Sequence, residues 1–266
     1  MPSASALSKS KLKRVTEYER TEIDRSPGSK YVTMDNALNR SGHGLTLVEK
    51  RMVALAASQI NSLRLVNPDS SPMIKIRADE YGQEFNVDMR NAYLQLKEGA
   101  KNLYKRSIVF FEPVDSRGKK LIKPIVNDMR WVSRARYHEG EGWVEMRWSA
   151  DVIPFLTGLS AKFTSYQLQQ ASALRSIYSW RLLELMMQFK STGWAQYSIE
   201  EFATAMDATK KQQENFAAIR RKIIEPAVKE LTEKEGWLIE WKPIKKGRRV
   251  AALRFEFGRN PQGRLL

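Results

Sequence analysis

Cysteine is absent from the 266 residues. Disulfides, thiolate zinc sites and iron–sulfur clusters are therefore excluded. Histidine is scarce: His43 and His138 stand far apart and alone, so no paired-histidine metal site forms, and a nicking enzyme with a histidine-bound metal and a tyrosine nucleophile is disfavoured. Both histidines, one flanked by glycines and one near a hairpin turn, are expected at the surface. Gly28-Ser29-Lys30 lacks the first glycine of a phosphate-binding P-loop. Asp79, Glu80 and Glu84 make an acidic patch that suits a solvated helix start. No catalytic constellation emerges, and neither enzyme activity, a cofactor nor a metal is expected. No apolar run is long enough to span a bilayer, and the opening MPSASALSKSKLKR lacks the apolar stretch of a secretory signal. The expectation is a soluble, cytoplasmic protein without a membrane partner.

What the chain has in excess is positive charge. Lys+Arg number 45 against 30 Asp+Glu, a net +15, with a pI near 9.9. That balance points to a polyanionic partner. The length suits one large or two small domains, and the 42% hydrophobic fraction is enough for real cores.

Residues 1–30 are polar and basic, with Lys9, Lys11, Lys13 and Arg14, and read either as a solvated tail or as a DNA-touching arm. LTLVEKRMVALAASQI is the first clear helix, opened by a Thr46/Glu49 capping box. Then follow a strand (MIKI), a short helix (ADEYGQEF), a longer helix (MRNAYLQLKEGAKNLYKR), an apolar strand (SIVFFEP), a basic loop and a returning strand (LIKPIV). MRWVSRARYHEGEGWVEMRW reads as a hairpin turning at Gly140 and Gly142. Alternation along its first strand puts Trp131, Ala135 and Tyr137 on one side and Arg130, Arg134 and Arg136 on the other. VIPFLTGL closes the unit, with Gly158 as a stop. One helix is expected over much of 168–190, on the stripe Leu174, Tyr178, Leu182, Leu185 and Phe189. Strand AQYSI, helix EEFATAM and loop DATKKQQE come next.

The order then repeats. Short helix, turn, longer helix, strand and basic loop recur, with Tyr81 matching Phe202 and Phe85 matching Met206. Phe111-Glu112-Pro113 before Gly118-Lys119-Lys120 parallels Trp241-Lys242-Pro243 before Gly247-Arg248-Arg249. Helix, turn, helix and a basic-tipped hairpin make a winged helix. The fold class expected is α+β, two tandem winged-helix domains related as an internal repeat. The boundaries expected are arm 1–30, first domain 31–158, second domain 159–260 and tail 261–266.

The stretch FAAIRRKIIEPAVKEL places Phe216, Ile219, Ile223, Ala227 and Leu231 on one stripe, with Ile224 and Val228 beside it. Arg221 points away, flanked by Arg220 and Lys222, with Ala217 and Ala218 as small outward neighbours. Arginine donates two hydrogen bonds to guanine O6 and N7, so Arg220, Arg221 and Lys222 are the base-contact candidates. Pro226 predicts a kink near 222–226. Lys210, Lys211, Gln213, Lys242, Lys245, Lys246, Arg248 and Arg249 are the candidates for contact with the DNA backbone. The first unit is a weaker version, with Lys97, Lys101, Arg117, Lys119 and Lys120 as auxiliary contacts; it is a lighter DNA contact or an interface.

Over about 31–258 the chain resembles the iteron-binding plasmid replication initiators. The pieces that carry the resemblance are LTLVEKRMVALAASQI, VIPFLTGLSAKFTSYQL, SIYSWRLLELMMQF, IRRKIIEPAVKEL and IKKGRRVAALRFEF, in that order. The resemblance implies two winged-helix domains, the second being the main reader of double-stranded origin repeats through Arg220, Arg221 and Lys222. It implies that monomers bind direct repeats (iterons) and start replication. It also implies that dimers, formed through the first domain, repress the initiator's own promoter at an inverted repeat. A host replication initiator, the replicative helicase and chaperones are the implied partners. A two-winged-helix transcriptional regulator with no replication role is the alternative.

Overall fold

A computed structural model describes residues 30–62, 64, 66–67, 71, 73–114, 119–138, 140–159 and 161–259. The basic arm up to Ser29, Arg117 and the tail 261–266 lie outside the described residues.

The chain enters as β1 (Tyr31–Asp35), and Asp35 caps the short α1 (Asn36–Arg40) by accepting from the Ala37 amide. The α2 helix (Leu47–Ser58) starts as its sequence predicts. Thr46 Oγ1 accepts from the Glu49 amide at 3.3 Å, and a Glu49 carboxylate oxygen accepts from the Thr46 amide at 2.8 Å.

Next come β2 (Met73–Arg77), α3 (Ala78–Phe85) and α4 (Met89–Leu103). Their turn is tight: Asn86 is left-handed at φ 50°, and the Val87 amide bonds the Gly82 carbonyl at 2.9 Å. A Cβ on Gly82 would sit 2.7 Å from the Val87 carbonyl oxygen. Gly82→Ala is therefore expected to cost about 1–3 kcal/mol despite alanine's better helix propensity, seen as a lower urea midpoint.

After these helices run β3 (Ser107–Val114), β4 (Lys120–Arg130), β5 (Val132–His138) and β6 (Trp143–Trp148). The sheet order is β2-β6-β5, while β3 and β4 form a separate two-stranded ladder. A bulge between Val132 and Arg134 breaks the simple alternation expected in β5. Trp131 is fully buried just ahead of the strand, whereas Tyr137 is exposed rather than sharing its side.

A single 3₁₀ turn (Ile153–Phe155) and Gly158 at φ 66° lead to β7 (Phe163–Gln167), which pairs antiparallel with β1. The helix expected over much of 168–190 is two pieces, α5 (Gln169–Ser172) and α6 (Ile177–Met187). Ser176 separates them: its backbone is extended, at φ −115° and ψ 133°, and its hydroxyl caps α6 by accepting from the Tyr178 amide. Leu174 is still buried, from the turn rather than from the helix.

The second unit is β8 (Trp194–Ser198), α7 (Ile199–Ala205), α8 (Lys210–Gln213), a long rod over Phe216–Glu235, β9 (Trp237–Lys246) and β10 (Arg249–Arg259). The α8 helix lies within the expected loop; Thr209 and Gln212 form its capping box. The sheet order is β8-β10-β9. In both units the strand before the short helix pairs with the last strand of a hairpin, so two tandem winged-helix units repeat one α+β plan. Tyr81 and Phe202 are 0% exposed, Phe85 and Met206 1%, as equivalent core positions require.

The sheet order corrects one equivalence. By topology β5–β6, not β3–β4, corresponds to β9–β10. The aromatic–charged–proline match therefore aligns hairpins that differ in position, and β3–β4 is an addition to the first unit.

The core carries a polar knot between α2 and α6. Lys50 Nζ lies 2.7 Å from a Glu184 carboxylate oxygen, with both side chains buried. Tyr166 donates to Glu184 at 2.8 Å and accepts from the Trp180 indole at 2.8 Å. One turn away, Arg181 donates to the carbonyls of Ser41 and Ala205, contacts the His43 ring and faces Asp207 at 3.7 Å. His43 is thus buried, not at the surface as its glycine neighbours suggested; its ring meets Trp131 edge-on at 5.5 Å. Burial, then the nearby Arg181 and Lys50 charges, hold His43 well below its ordinary pKa.

Candidate nucleic-acid interface

The rod is built as one hydrophobic stripe with a cationic back. Asn215 caps it, its side-chain oxygen accepting from the Ala217 amide at 3.0 Å. Ile219, Ile223, Ile224, Ala227 and Leu231 are each 0% exposed, and Phe216 and Val228 are partly buried. Arg220, Arg221, Lys222 and Ala217 are exposed, with Ala218 half-buried. The three cations and the small residues that precede them thus share the solvent side.

The predicted kink takes a specific form. α9 (Phe216–Ile219) passes into a π turn over Arg220–Ile224, and α10 (Glu225–Glu235) resumes without a gap. Pro226 has no N–H, and its ring would press on the Lys222 carbonyl in a regular α-helix. The wider turn relieves that pressure. The Glu225 amide reaches back to the Arg220 carbonyl, five residues away.

The cations differ in freedom. Arg220 Nε is 2.9 Å from Glu225 Oε1. Arg221 Nε leans on its own helix, 3.4 Å from the Ala217 carbonyl. Glu225 was absent from the sequence-based candidates because residues five apart do not meet on an α-helix.

The β9–β10 turn projects from the same body. Gly247, at φ 64°, takes the first central position of a two-residue loop, where a type II′ turn needs glycine. Arg249 pairs with Lys246 in the ladder, and Lys245, Lys246, Arg248 and Arg249 are all exposed around the tip. Lys242 sits farther back, opposite Arg254 and 3.7 Å from Glu256. Phe216 at the rod's start meets Trp241 of β9 edge-on at 6.5 Å, so rod and hairpin are locked together. Lys210 and Lys211 are exposed on α8, just before the rod, while the Gln213 amide is engaged by the Ala208 carbonyl at 2.8 Å.

In the first unit Lys97 and Lys101 of α4 each place Nζ 5.7 Å from the Tyr137 ring centre on β5. That cluster, with Tyr137 unforeseen in the sequence, lies on the topological counterpart of the second unit's rod and hairpin. Lys119 is exposed at the far end of β3–β4, and Lys120 opens β4 there. The first unit's own wing tip carries Glu141 between Gly140 and Gly142, so its charge is opposite to that of the second tip.

Among the described residues no group of three or more His, Asp or Glu is placed to hold a metal, and no helix is long and apolar enough to cross a membrane.

Residues 31–187 match the family described as Initiator Replication protein, WH1, and residues 198–257 the one described as Initiator Rep protein, WH2. An uncharacterized 27.6 kDa protein of Escherichia coli is 27% identical over 217 residues, covering 79% of this chain and 88% of that one. The PI protein of Escherichia coli is 24% identical over 253 residues, covering 84% and 80%. The crystal structure of the Pi initiator protein in complex with iteron DNA superposes with a TM-score of 0.71 at 23% identity, over 88% of this chain and 98% of that one. At that identity the likeness establishes the fold.

Proposed function

This chain belongs to the initiator replication protein family, and from that membership we propose that it binds repeated double-stranded origin sites as a monomer, without enzymatic chemistry, in the cytoplasm. The observation that carries the reading is the exposed Arg220–Arg221–Lys222 cluster on a rod whose opposite face is anchored by the fully buried Ile219, Ile223, Ile224, Ala227 and Leu231. A helix with small outward residues and forward arginines suits a major groove. The exposed cations at the β9–β10 tip, with Lys210 and Lys211, suit the flanking phosphates. Lys97 and Lys101 supply a lighter contact from the first domain. We take the second domain as the principal reader, with the division at 158/159.

We further propose self-association through the first domain for repression at an inverted repeat. Support comes from β3–β4, a two-stranded ladder outside the wing sheet, bridged to Gly42 at Val109 and carrying exposed Phe111, Ile122, Ile125 and Val126. Such an edge suits a two-fold contact with a second copy. Host initiator, replicative helicase and chaperones complete the proposed partners.

The test is binding to a duplex selected from random DNA and to its scrambled version. Arg221→Ala is expected to lose about 1–3 kcal/mol of preference for the selected site. Lys246→Ala should weaken both duplexes alike and lower the salt slope by about 1. Equal binding of the unaltered protein to both duplexes would refute the reading.

A further inference from the structure

We infer that Glu225 is a positioning residue for base reading: it holds Arg220 so that the arginine's terminal fork faces the groove. The inference rests on the proposed DNA reading.

The argument begins with spacing. On an α-helix successive residues turn by about 100°, so positions five apart point roughly 140° away from each other and do not meet. Arg220 and Glu225 are five apart, yet Nε and Oε1 are 2.9 Å from one another. They meet because the π turn closes over the same five residues, with the Glu225 amide on the Arg220 carbonyl. Pro226, next in sequence, favours that wider turn over a regular one. The pair is thus a product of the local backbone.

The closest approach is at Nε, an ion pair at contact distance rather than a directed hydrogen bond, and it leaves the hydrogen-bonding capacity of the two terminal nitrogens unspent. No other described residue bonds them, and both side chains are about half exposed. A guanidinium drawn toward a carboxylate on its Nε side, with its other edge free, can present the planar donor pair that matches guanine O6 and N7. Held in this way it surrenders less rotamer freedom on binding. Glu225 also brings a negative charge close to the polyanion, which penalises any DNA that does not offer Arg220 its base. An exposed ion pair of this kind contributes little to stability, so orientation is the role left to it.

The experiment uses the full chain, with fluorescence anisotropy on the selected and scrambled duplexes. Glu225→Ala and Glu225→Gln are expected to cut the selected-to-scrambled affinity ratio about tenfold. Binding to scrambled DNA should hold or rise, and the thermal midpoint should stay in place. Arg220→Ala should cut the ratio by a similar factor, and adding Glu225→Ala to it should cut it no further. An equal rise on both duplexes, or an undiminished second loss in the Arg220→Ala background, would overturn the inference. If Arg221→Ala still abolishes preference while Glu225→Ala leaves the ratio unmoved, only Glu225's role falls. If the unaltered protein has no preference, the DNA reading falls with it.

Discussion

Lys50→Met is expected to remove about 3–5 kcal/mol of folding stability. That is a large share of the roughly 5–15 kcal/mol that holds a typical domain together. Lys50 and Glu184 are both buried and in contact at 2.7 Å. Methionine fills the same space, so little packing is lost. What is lost is the counter-charge at contact distance: among the described residues Glu184 would keep the Tyr166 hydroxyl as its hydrogen-bond partner and the Arg181 charge only beyond ion-pair contact. Urea unfolding reads the cost directly. Adding Glu184→Gln to Lys50→Met should recover part of it, because a neutral amide still accepts from Tyr166 and leaves no isolated charge. A single variant within about 0.5 kcal/mol of the parent would show that Glu184 is solvated after all. The same knot makes the protein acid-sensitive through His43. Its pKa is depressed in the folded state, so below the ordinary value near 6.5 the unfolded chain binds the extra proton. Stability is then expected to be complete above that pH and to decline as pH falls beneath it.

This knot is also where sequence reading reached its limit. Lys50 and Glu184 are 134 positions apart, and neither residue type advertises burial; Lys and Glu alike read as solvated helix surface. His43 looked exposed because its glycine neighbours signal a loop, yet that loop runs beneath α6, against Arg181. By contrast, features fixed within one turn were legible: the Thr46 capping box, the rod's apolar stripe, the Gly247 turn and the outward cations. The rod's proline was visible, but the local rule predicts only that the helix is disturbed there and does not separate a kink from a wider turn. The repeat was legible as an order of elements. The matching of hairpins was not, because strand pairing is a long-range property. The sequence around β3–β4 copied the look of the true wing, whereas only β6 pairs back to β2.

Replacing Lys245, Lys246, Arg248 and Arg249 together by alanine is expected to cost about 10²–10³-fold in DNA affinity near physiological salt, with the preference for the selected site intact. Each phosphate neutralised contributes about 0.9 to the slope of log K against log salt, so four contacts should flatten that slope by about 3–4. Stability should hardly move. These side chains stand exposed at a hairpin tip whose strands are secured farther back by Trp241 against Phe255 and by the stacked Phe202 and Phe255 rings, 5.6 Å apart. The equivalent tip of the first unit offers the control. Glu141→Lys there places a cation where the repeat has none, and on the proposed reading it should raise affinity for both duplexes and steepen the slope by up to about 1. A slope unchanged by the fourfold replacement would mean that the second hairpin lies clear of the phosphates. The cations of α8 and the rod would then have to carry the electrostatic binding by themselves.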